Sequence, residues 1–281
     1  MVGRLAVSKT YKLYIDGAFP RSESGRTFAF TSDDGSVKVY LSRASRKDLR
    51  MAVRAARAAL AGWKGRSGYN RGQVLYRIAE MVEDRAATFT AQLELGGRPT
   101  GEARKEVEET IDLLIWYAGW CDKYMQVIGN MNPVAGSFFN ISVPEPVGVV
   151  GVSAPSAPVL RGLVAGLAPV ISSGNTAVVV ASPAQPMVAI TLAEALATAD
   201  VPAGAVNILT GCPEELAPWL AGHMDVNGVD LSGVHPDALS DLEEAASHNL
   251  KRTGRWENSD ANLYRISAFT EIKTVWHPKG R

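Results

Sequence analysis

The sequence predicts an α/β protein built on a Rossmann-like parallel sheet with helices on both faces. From residue 144 onwards, wholly apolar runs of strand length alternate with stretches of helical periodicity. Apolar strands without polar alternation are typical of a sheet buried on both faces, and helices supply the crossovers that parallel strands need. We assign residues 144–252 to this layer. The predicted strands are residues 147–152, 177–180, 206–210 and 226–231, and the predicted helices are residues 159–171, 187–198, 214–221 and 238–248.

The N-terminal residues, 1–44, are predicted to form a β-hairpin arm. Tyr11, Leu13 and Ile15 lie at alternate positions before an Asp-Gly dipeptide, which is typical of a tight hairpin turn. The second strand of this hairpin is predicted near residues 27–31.

Residues 45–143 are predicted to be mostly helical. Ser45 and Asp48 match the capping box that begins a helix, since each side chain can accept a hydrogen bond from the other's backbone N–H. Apolar residues then recur at helical spacing through three segments, and the pair Gly96 and Gly97 ends the second of them.

The chain ends in a predicted strand, residues 268–281, which a linker, residues 253–267, joins to the sheet. The linker is polar and weakly patterned, whereas residues 269–276 are rich in the β-branched and aromatic types that favour strands. A strand needs neighbours for its backbone N–H and C=O groups. We expect the N-terminal hairpin to supply one neighbour.

Composition argues against nucleic acid and membrane partners. Lys and Arg together number 29, as do Asp and Glu, so the net charge offers no attraction to a polyanion. The longest apolar stretches are too short, or too broken by Pro and Gly, to span a bilayer, and residues 1–10 lack the apolar core of a signal peptide. Two cysteines are too few for a disulfide framework and are typical of a reducing compartment. We therefore expect a cytoplasmic protein.

Signatures of catalysis are sparse. Neither G-x-G-x-x-G nor G-x-x-x-x-G-K-[ST] occurs, which weakens the case for nucleotide binding without excluding it. The four histidines lack the spacing of a metal site. Cys121 is expected to be a small buried hydrophobe on a helix. Cys212 lies between a strand and a helix N-terminus, a better position for a reactive thiol, but no neighbour in sequence supplies a base and a structural role is favoured.

Several motifs together resemble the aldehyde dehydrogenase superfamily. The central ones are EPVGVVG at residues 145–151, LAP at 167–169 and SGNT at 173–176. YIDGAF and WYAGWCDK resemble the family's N-terminal region, and VPAGAVNILTG, HMDVNGVDLSG and NLKR resemble later parts of its nucleotide-binding domain. FTEIKTVW, at 269–276, is similar to the C-terminal strand of the family's oligomerisation arm. The resemblance covers nearly the whole chain.

This resemblance implies a vestigial cofactor site at Pro155, Ala157, Val180, Ser232 and Gly233. The family uses a cysteine thiolate, an oxyanion hole, NAD(P) and a water-activating glutamate. Ala157 stands where the family has the asparagine that donates to the oxyanion, and Val180 stands where it has the lysine that holds the adenosine ribose. After Gly233 the chain has valine where the family's phosphate-binding motif has serine. We therefore expect no cofactor and no metal in this chain.

The resemblance also implies that the catalytic domain is absent. In the family, a strand with the sequence L-E-L-G-G follows NLKR and carries the water-activating glutamate. Here residues 253–256 occupy that strand, and Glu257 lies one place out of register. Neither Cys121 nor Cys212 matches the position of the family's nucleophile. The chain is thus expected to be an internally truncated, pseudoenzyme-like member that keeps the family's two ends and lacks its chemistry.

Three functions remain open at this point. The first is a non-catalytic subunit that assembles with a full-length, NAD(P)-dependent aldehyde dehydrogenase, holds no cofactor itself, and supports or regulates the partner. In the family, the arm strand of one subunit packs against the catalytic domain of another, so a chain with an arm and no catalytic domain cannot form the usual homodimer. We therefore expect another polypeptide to supply the second neighbour of the C-terminal strand. The expected arm residues are Tyr11, Leu13, Ile15, Phe269, Ile272, Val275 and Trp276.

The second function is that of an oxidoreductase which binds a nucleotide in an altered pose or uses Cys212. The third is a decayed remnant with no partner. The core strands argue against a remnant, because their apolar pattern is intact and no charge stands out among them.

Overall fold

The computed structural model describes residues 9–280 of the chain. Residues 1–8, which belong to the predicted arm (residues 1–44), lie outside the described residues. So does residue 281, the last of the predicted final strand (residues 268–281). The strands are β1 (Thr27–Thr31), β2 (Lys38–Ser42), β3 (Asn130–Asn132), β4 (Phe138–Pro146), β5 (Val149–Ser153), β6 (Thr176–Val180), β7 (Val206–Leu209), β8 (Gly228–Asp230), β9 (Arg252–Gly254) and β10 (Thr270–Pro278). The helices are α1 (Arg46–Lys64), α2 (Gly68–Asp84), α3 (Ala86–Glu94), α4 (Thr100–Trp120), α5 (Tyr124–Ile128), α6 (Val159–Ser172), α7 (Pro186–Ala197), α8 (Pro213–Ala221), α9 (Leu239–Ser247) and α10 (Leu263–Ala268), with a 3₁₀ turn at Pro236–Ala238.

A five-stranded parallel sheet, in the order β7-β6-β5-β8-β9, forms the centre of the molecule. β5 pairs with β6 from Val149↔Thr176 to Ser153↔Val180, and the other three pairings are parallel as well. Parallel strands need crossover connections, and α6, α7, α8 and α9 supply them in turn. This confirms the predicted Rossmann-like α/β layer.

Alternate residues of the central strands point into two separate apolar cores. Val150 and Val152 pack with α2, α4, α6 and α7, whereas Val149, Val178 and Val180 pack with α1 and α8. Helices therefore cover both faces of the sheet. Double coverage explains why the strands are apolar at nearly every position.

The helix α1 begins with the predicted capping box. The Ser45 side chain accepts hydrogen bonds from the backbone N–H groups of Lys47 and Asp48, and the Asp48 carboxylate accepts from Ser45 N at 2.8 Å. Asp48 is buried and also accepts from Ser22 Oγ at 2.7 Å and from Glu23 N at 3.1 Å. One carboxylate therefore fixes both the start of α1 and the N-terminal segment that crosses it.

The predicted hairpin between residues 11–15 and residues 27–31 is wrong, because β1 pairs with β2 instead. The Asp-Gly turn does close, and Ile15 and Ala18 exchange backbone hydrogen bonds at 3.0 Å. The short ladder then ends at Pro20, since proline has no N–H with which to continue it.

Tyr11, Leu13 and Ile15 are buried inside this chain and are not presented on an arm. Their segment runs beside β7, where Tyr14 and Ile208 exchange backbone hydrogen bonds at 2.9 and 2.8 Å. The segment thus extends the edge of the central sheet. Its apolar side chains contribute to the core of this chain and offer no surface to a partner.

The C-terminal strand β10 pairs antiparallel with β4 from Thr270↔Pro146 to Pro278↔Phe138. β3 lies on the other side of β4, so β10 is an edge strand of a three-stranded sheet in the order β10-β4-β3. The neighbour of the final strand is therefore β4 and not the predicted N-terminal hairpin. Sequence patterning missed β4 because three of its nine residues are polar and it contains two prolines, which rarely occur within a strand.

Residues 253–267, predicted to be a linker, carry regular structure. β9 pairs with β8 and completes the central sheet, and Asn262 caps the N-terminus of α10, since its side chain accepts from Tyr264 N at 2.8 Å. A strand of three residues and a helix of six residues are too short to show a period in the sequence.

Phe269, predicted to be an arm residue, belongs to the core. Its side chain is 1% exposed, and its ring lies against the backbones of Gly228 in β8 and Gly254 in β9. Its carbonyl oxygen accepts from Asn175 Nδ2 at 2.8 Å. Of the predicted arm residues, only three are exposed, namely Ile272, Val275 and Trp276.

Candidate functional site

A cleft of about 440 Å³ lies at the carboxyl ends of the parallel strands. The loops after β5, β6 and β8 line it together with α8 and α9, which is where open α/β sheets bind ligands. Of the predicted vestigial residues, Pro155, Ser232 and Gly233 line this cleft. Ala157 lines a smaller neighbouring cavity instead. Val180 is buried within the sheet and lines neither.

The wall of the cleft is mostly apolar. Pro213, Ala217 and Leu242 are among the residues that line it. Glu214 and His235 also line it, and among the described lining residues there is no lysine or arginine. A cleft of this composition suits a neutral planar group and gives little attraction to phosphate.

The loop after β8 uses its own N–H groups within the protein. Ser232 N donates to Asp230 Oδ1 at 2.9 Å, and Gly233 N donates to the carbonyl of Ser153 at 2.9 Å. The next turn begins with Pro236, which has no N–H. An anion site at a helix N-terminus depends on free N–H groups, and here these two are already bonded.

Close packing requires glycine at position 233. A Cβ built on Gly233 would lie 2.2 Å from the carbonyl oxygen of Ala154, which is far inside van der Waals contact. Gly233 therefore keeps the loop against the end of β5, whether or not any ligand binds there.

The N-terminus of α6, beside Ala157, is already capped by a carboxylate. Glu106 of α4 is buried, and its Oε1 accepts from Leu160 N at 2.7 Å and from Arg161 N at 3.3 Å. Its Oε2 forms an ion pair with Arg98. The positive end of the α6 dipole is thus neutralised within the protein.

Neither cysteine is a prepared nucleophile. Burial raises the pKa of Cys121 to about 11, and its Sγ donates to the carbonyl of Tyr117 at 3.3 Å. The Sγ of Cys212 donates to Glu214 Oε2 at 2.9 Å. This hydrogen bond is the main cause that raises the pKa of Cys212, and burial is the second cause. A thiol that reacts as a thiolate needs the opposite shift.

Residues 9–280 contain no group of three or more His, Cys, Asp and Glu side chains that could hold a metal ion. Within the same residues, none of the helices combines the length and the hydropathy that a membrane crossing requires.

Comparison with known proteins identifies the family of this chain. The sequence profile of the aldehyde dehydrogenase family matches residues 21–254 of this chain. The chain belongs to the aldehyde dehydrogenase family. Cytosolic aldehyde dehydrogenase 1 of Elephantulus edwardii is 32% identical over 248 residues, which are 86% of this chain and 49% of that protein. Omega-crystallin of Enteroctopus dofleini is 31% identical over 251 residues, 87% of this chain and 50% of that protein.

Solved structures of the aldehyde dehydrogenase family confirm the fold. The NAD⁺ complex of an aldehyde dehydrogenase from Bacillus cereus superposes with a TM-score of 0.81 at 25% identity, over 87% of this chain and 50% of that one. This aldehyde dehydrogenase-like chain thus spans about half the length of the relatives it matches. The matched half contains the α/β layer, and the family profile ends at Gly254, before α10 and β10.

Sequence analysis did not identify three buried ionisable residues that lie near the candidate site: Glu106, Asp230 and Arg265. Glu106 and Asp230 carried a signal, since one interrupts the apolar face of a helix and the other an apolar strand. Arg265 carried none, because the carbonyl of Ala165 that its Nη1 contacts at 3.1 Å lies 100 residues away in sequence.

Proposed function

We propose that this chain is a non-catalytic member of the aldehyde dehydrogenase family that assembles with a full-length, NAD(P)-dependent aldehyde dehydrogenase and supports or regulates it. The observation that carries this proposal is β10, a strand of nine residues with β4 on one side. Among the described residues no strand pairs with its other side. An unpaired strand edge is a template for another chain.

Both faces of the β10-β4-β3 sheet, which we call the arm sheet, carry exposed apolar side chains. On one face Met131, Ile141 and Val275 are cross-strand neighbours. On the other face Phe138 and Trp276 pack edge to face, with ring centroids 5.8 Å apart, and Trp276 is 59% exposed. Exposed apolar groups of this kind mark protein interaction sites.

A protein that adds a strand to the arm sheet fits this surface best. Strand addition supplies backbone hydrogen bonds along the edge, and the alternating side chains of β10 supply contacts on both faces. A full-length family member is the proposed partner because β10 resembles the strand by which family subunits associate, and because this chain matches only about half of such a subunit.

Three features of the site support a non-catalytic role. Ala157 has no side-chain amide to donate to an oxyanion, and the pKa values of Cys121 and Cys212 are raised, so the thiol forms are favoured. In the loop after β8, the backbone N–H groups of Ser232 and Gly233 already donate hydrogen bonds within the protein. We expect no cofactor in this chain and NAD(P) in the partner.

Affinity purification from the native source tests this proposal. The tagged wild-type chain is expected to retain an aldehyde dehydrogenase, and Val275→Lys is expected to lose it, since a charge would be placed in the middle of one face of the arm sheet. Met224→Lys serves as the control, because Met224 is an exposed apolar residue outside the arm sheet. A wild-type chain that purifies as a monomer with no dehydrogenase would refute the proposal.

Nucleotide binding in an altered pose is the second candidate function, and the cleft at the strand ends favours it. Its apolar wall could hold an adenine ring even though its described lining residues include no lysine or arginine. Calorimetry with NAD, NADP and adenosine, together with an aldehyde oxidation assay, separates the candidates. The leading proposal predicts no micromolar binding of either dinucleotide and no activity from the isolated chain.

A further inference from the structure

The surface formed by α1, α8 and α9, which we call the three-helix face, carries charges of opposite sign on its two outer helices. The buried residues of these helices share one apolar core on one side of the central sheet. α1 packs on β6 and β7, at one end of the strand order, and α9 packs on β9, at the other end. α8 contacts both of these helices and therefore forms the middle of the face.

α1 presents a basic stripe on this face. Arg46, Arg50 and Arg54 are spaced four residues apart, so their side chains project from the same side of the helix. All three arginines are exposed, and none of them forms an ion pair with another of residues 9–280. The adjacent Lys47, in contrast, pairs with Glu23 at 3.1 Å. Three positive charges on α1 are thus left without a carboxylate partner in the described part of the chain.

α9 presents an acidic stripe on the same face. Asp241, Glu243 and Glu244 are exposed, whereas Leu242 and Ala246 of the same helix are buried. None of the three carboxylates forms an ion pair with a Lys, Arg or His side chain among the described residues. The two outer helices therefore carry equal numbers of unpaired charges of opposite sign.

An exposed aromatic side chain lies between the two stripes. Trp219 of α8 is 45% exposed, and the Arg46 guanidinium lies 3.6 Å from its ring centroid. Pro218 beside it is exposed as well. Tryptophan and arginine are enriched in protein interfaces, where a central aromatic residue is commonly surrounded by polar ones.

We propose that the three-helix face binds a second copy of this chain about a two-fold axis that passes through α8. A two-fold interface must be complementary to itself. Rotation about this axis places the basic stripe of each copy against the acidic stripe of the other, and it brings the two Trp219 side chains together at the centre.

The arrangement of charges favours a second copy over a polyanion such as nucleic acid. The basic stripe alone would attract any polyanion, but the acidic stripe on the same face would repel it. None of the residues of the two stripes belongs to the arm sheet. This contact is therefore separate from the one proposed for a full-length dehydrogenase, and each can be tested without the other.

Sedimentation velocity of the isolated wild-type chain over a range of micromolar concentrations tests the self-association. We expect an equilibrium between monomer and dimer that shifts towards the monomer as sodium chloride is raised, because salt screens exposed charges. A chain that stays monomeric at low salt over the whole range would overturn the proposal.

Charge reversals locate the contact. Arg50→Glu and Glu244→Arg should each weaken dimerisation about tenfold or more, because a two-fold dimer exchanges an attraction for a repulsion at two symmetric positions. An equimolar mixture of the two variants should recover dimerisation, since unlike charges again face each other at both positions. Failure of the mixture to recover it would refute the pairing of α1 with α9.

Arg104→Glu and Glu108→Arg are the matched controls. Both residues are exposed on α4, which packs on the opposite side of the sheet, and the two substitutions change the net charge by the same amounts. We expect the control variants to dimerise like the wild-type chain. If Arg50→Glu and Glu244→Arg dimerise like the wild type, or if the controls are weakened equally, the three-helix face is not the interface.

Discussion

The variant Phe269→Ala tests whether Phe269 belongs to the core or to the arm sheet. The Phe269 ring is 1% exposed, and it lies so close to β8 and β9 that a Cβ on Gly228 would be 2.7 Å from its Cδ1. Deleting a buried phenylalanine ring costs about 3 to 5 kcal/mol, depending on how well the site can collapse. Here two glycines form one wall of the site and have no side chains with which to fill the space. We therefore expect a loss in the upper half of that range.

Trp276→Ala is the matched comparison. Trp276 is large and aromatic but 59% exposed, and its main intrachain contact is the edge-to-face pair with Phe138. Such a pair contributes about 0.5 to 1.5 kcal/mol. Urea unfolding followed by circular dichroism should therefore give Phe269→Ala a loss at least about 2 kcal/mol larger than that of Trp276→Ala. Equal losses in the two variants would show that Phe269 is not a core residue and that the reassignment is mistaken.

Three further predictions follow from single contacts. Gly233→Ala should destabilise the chain by roughly 2 kcal/mol or more in urea unfolding, since its Cβ meets a backbone carbonyl that cannot move freely. Asp48→Ala should lower stability by about 2 to 3 kcal/mol in the same assay, because it removes three hydrogen bonds to a buried carboxylate. Glu214→Gln should lower the pKa of Cys212 and speed its alkylation at neutral pH, whereas Cys121 should stay unmodified until the chain unfolds.

The alkaline stability of the chain should depend on Cys121. Its pKa is 9.0 when unfolded and about 11 when folded, so above pH 9.0 the unfolded chain releases a proton that the folded chain keeps. Stability should therefore fall as the pH rises from 9.0 towards 11, by up to about 2 to 3 kcal/mol from this group. Cys121→Ala should remove that part of the decline, and an unchanged pH profile in the variant would contradict the assignment.

The sequence predicted the α/β layer well because its signals are local and repeated. Each apolar strand is bounded by turn residues and followed by a helix, and the capping box of α1 is complete within four residues. The errors lie where pairing is non-local. β10 pairs with β4 across more than 100 residues, and in β4 burial does not follow hydrophobicity, since Asn140 is buried whereas Phe139 and Ile141 are exposed. Period-two patterning detects strands whose apolar residues are the buried ones, so it could not detect this strand.

The candidate site shows the same division between local and non-local information. The loss of a family side chain, such as the asparagine that Ala157 replaces, can be read directly from the sequence. The side chains that occupy the site instead cannot be read from it, because they come from distant segments. Glu106 reaches the N-terminus of α6 from α4, and Arg265 reaches α6 from beyond the family match. Each brings a charge into a place where burial without a partner would be costly. Glu106 has Arg98 as its ion-pair partner, whereas Arg265 donates to the carbonyls of Ala165 and Asn258 and lies against the Trp256 ring.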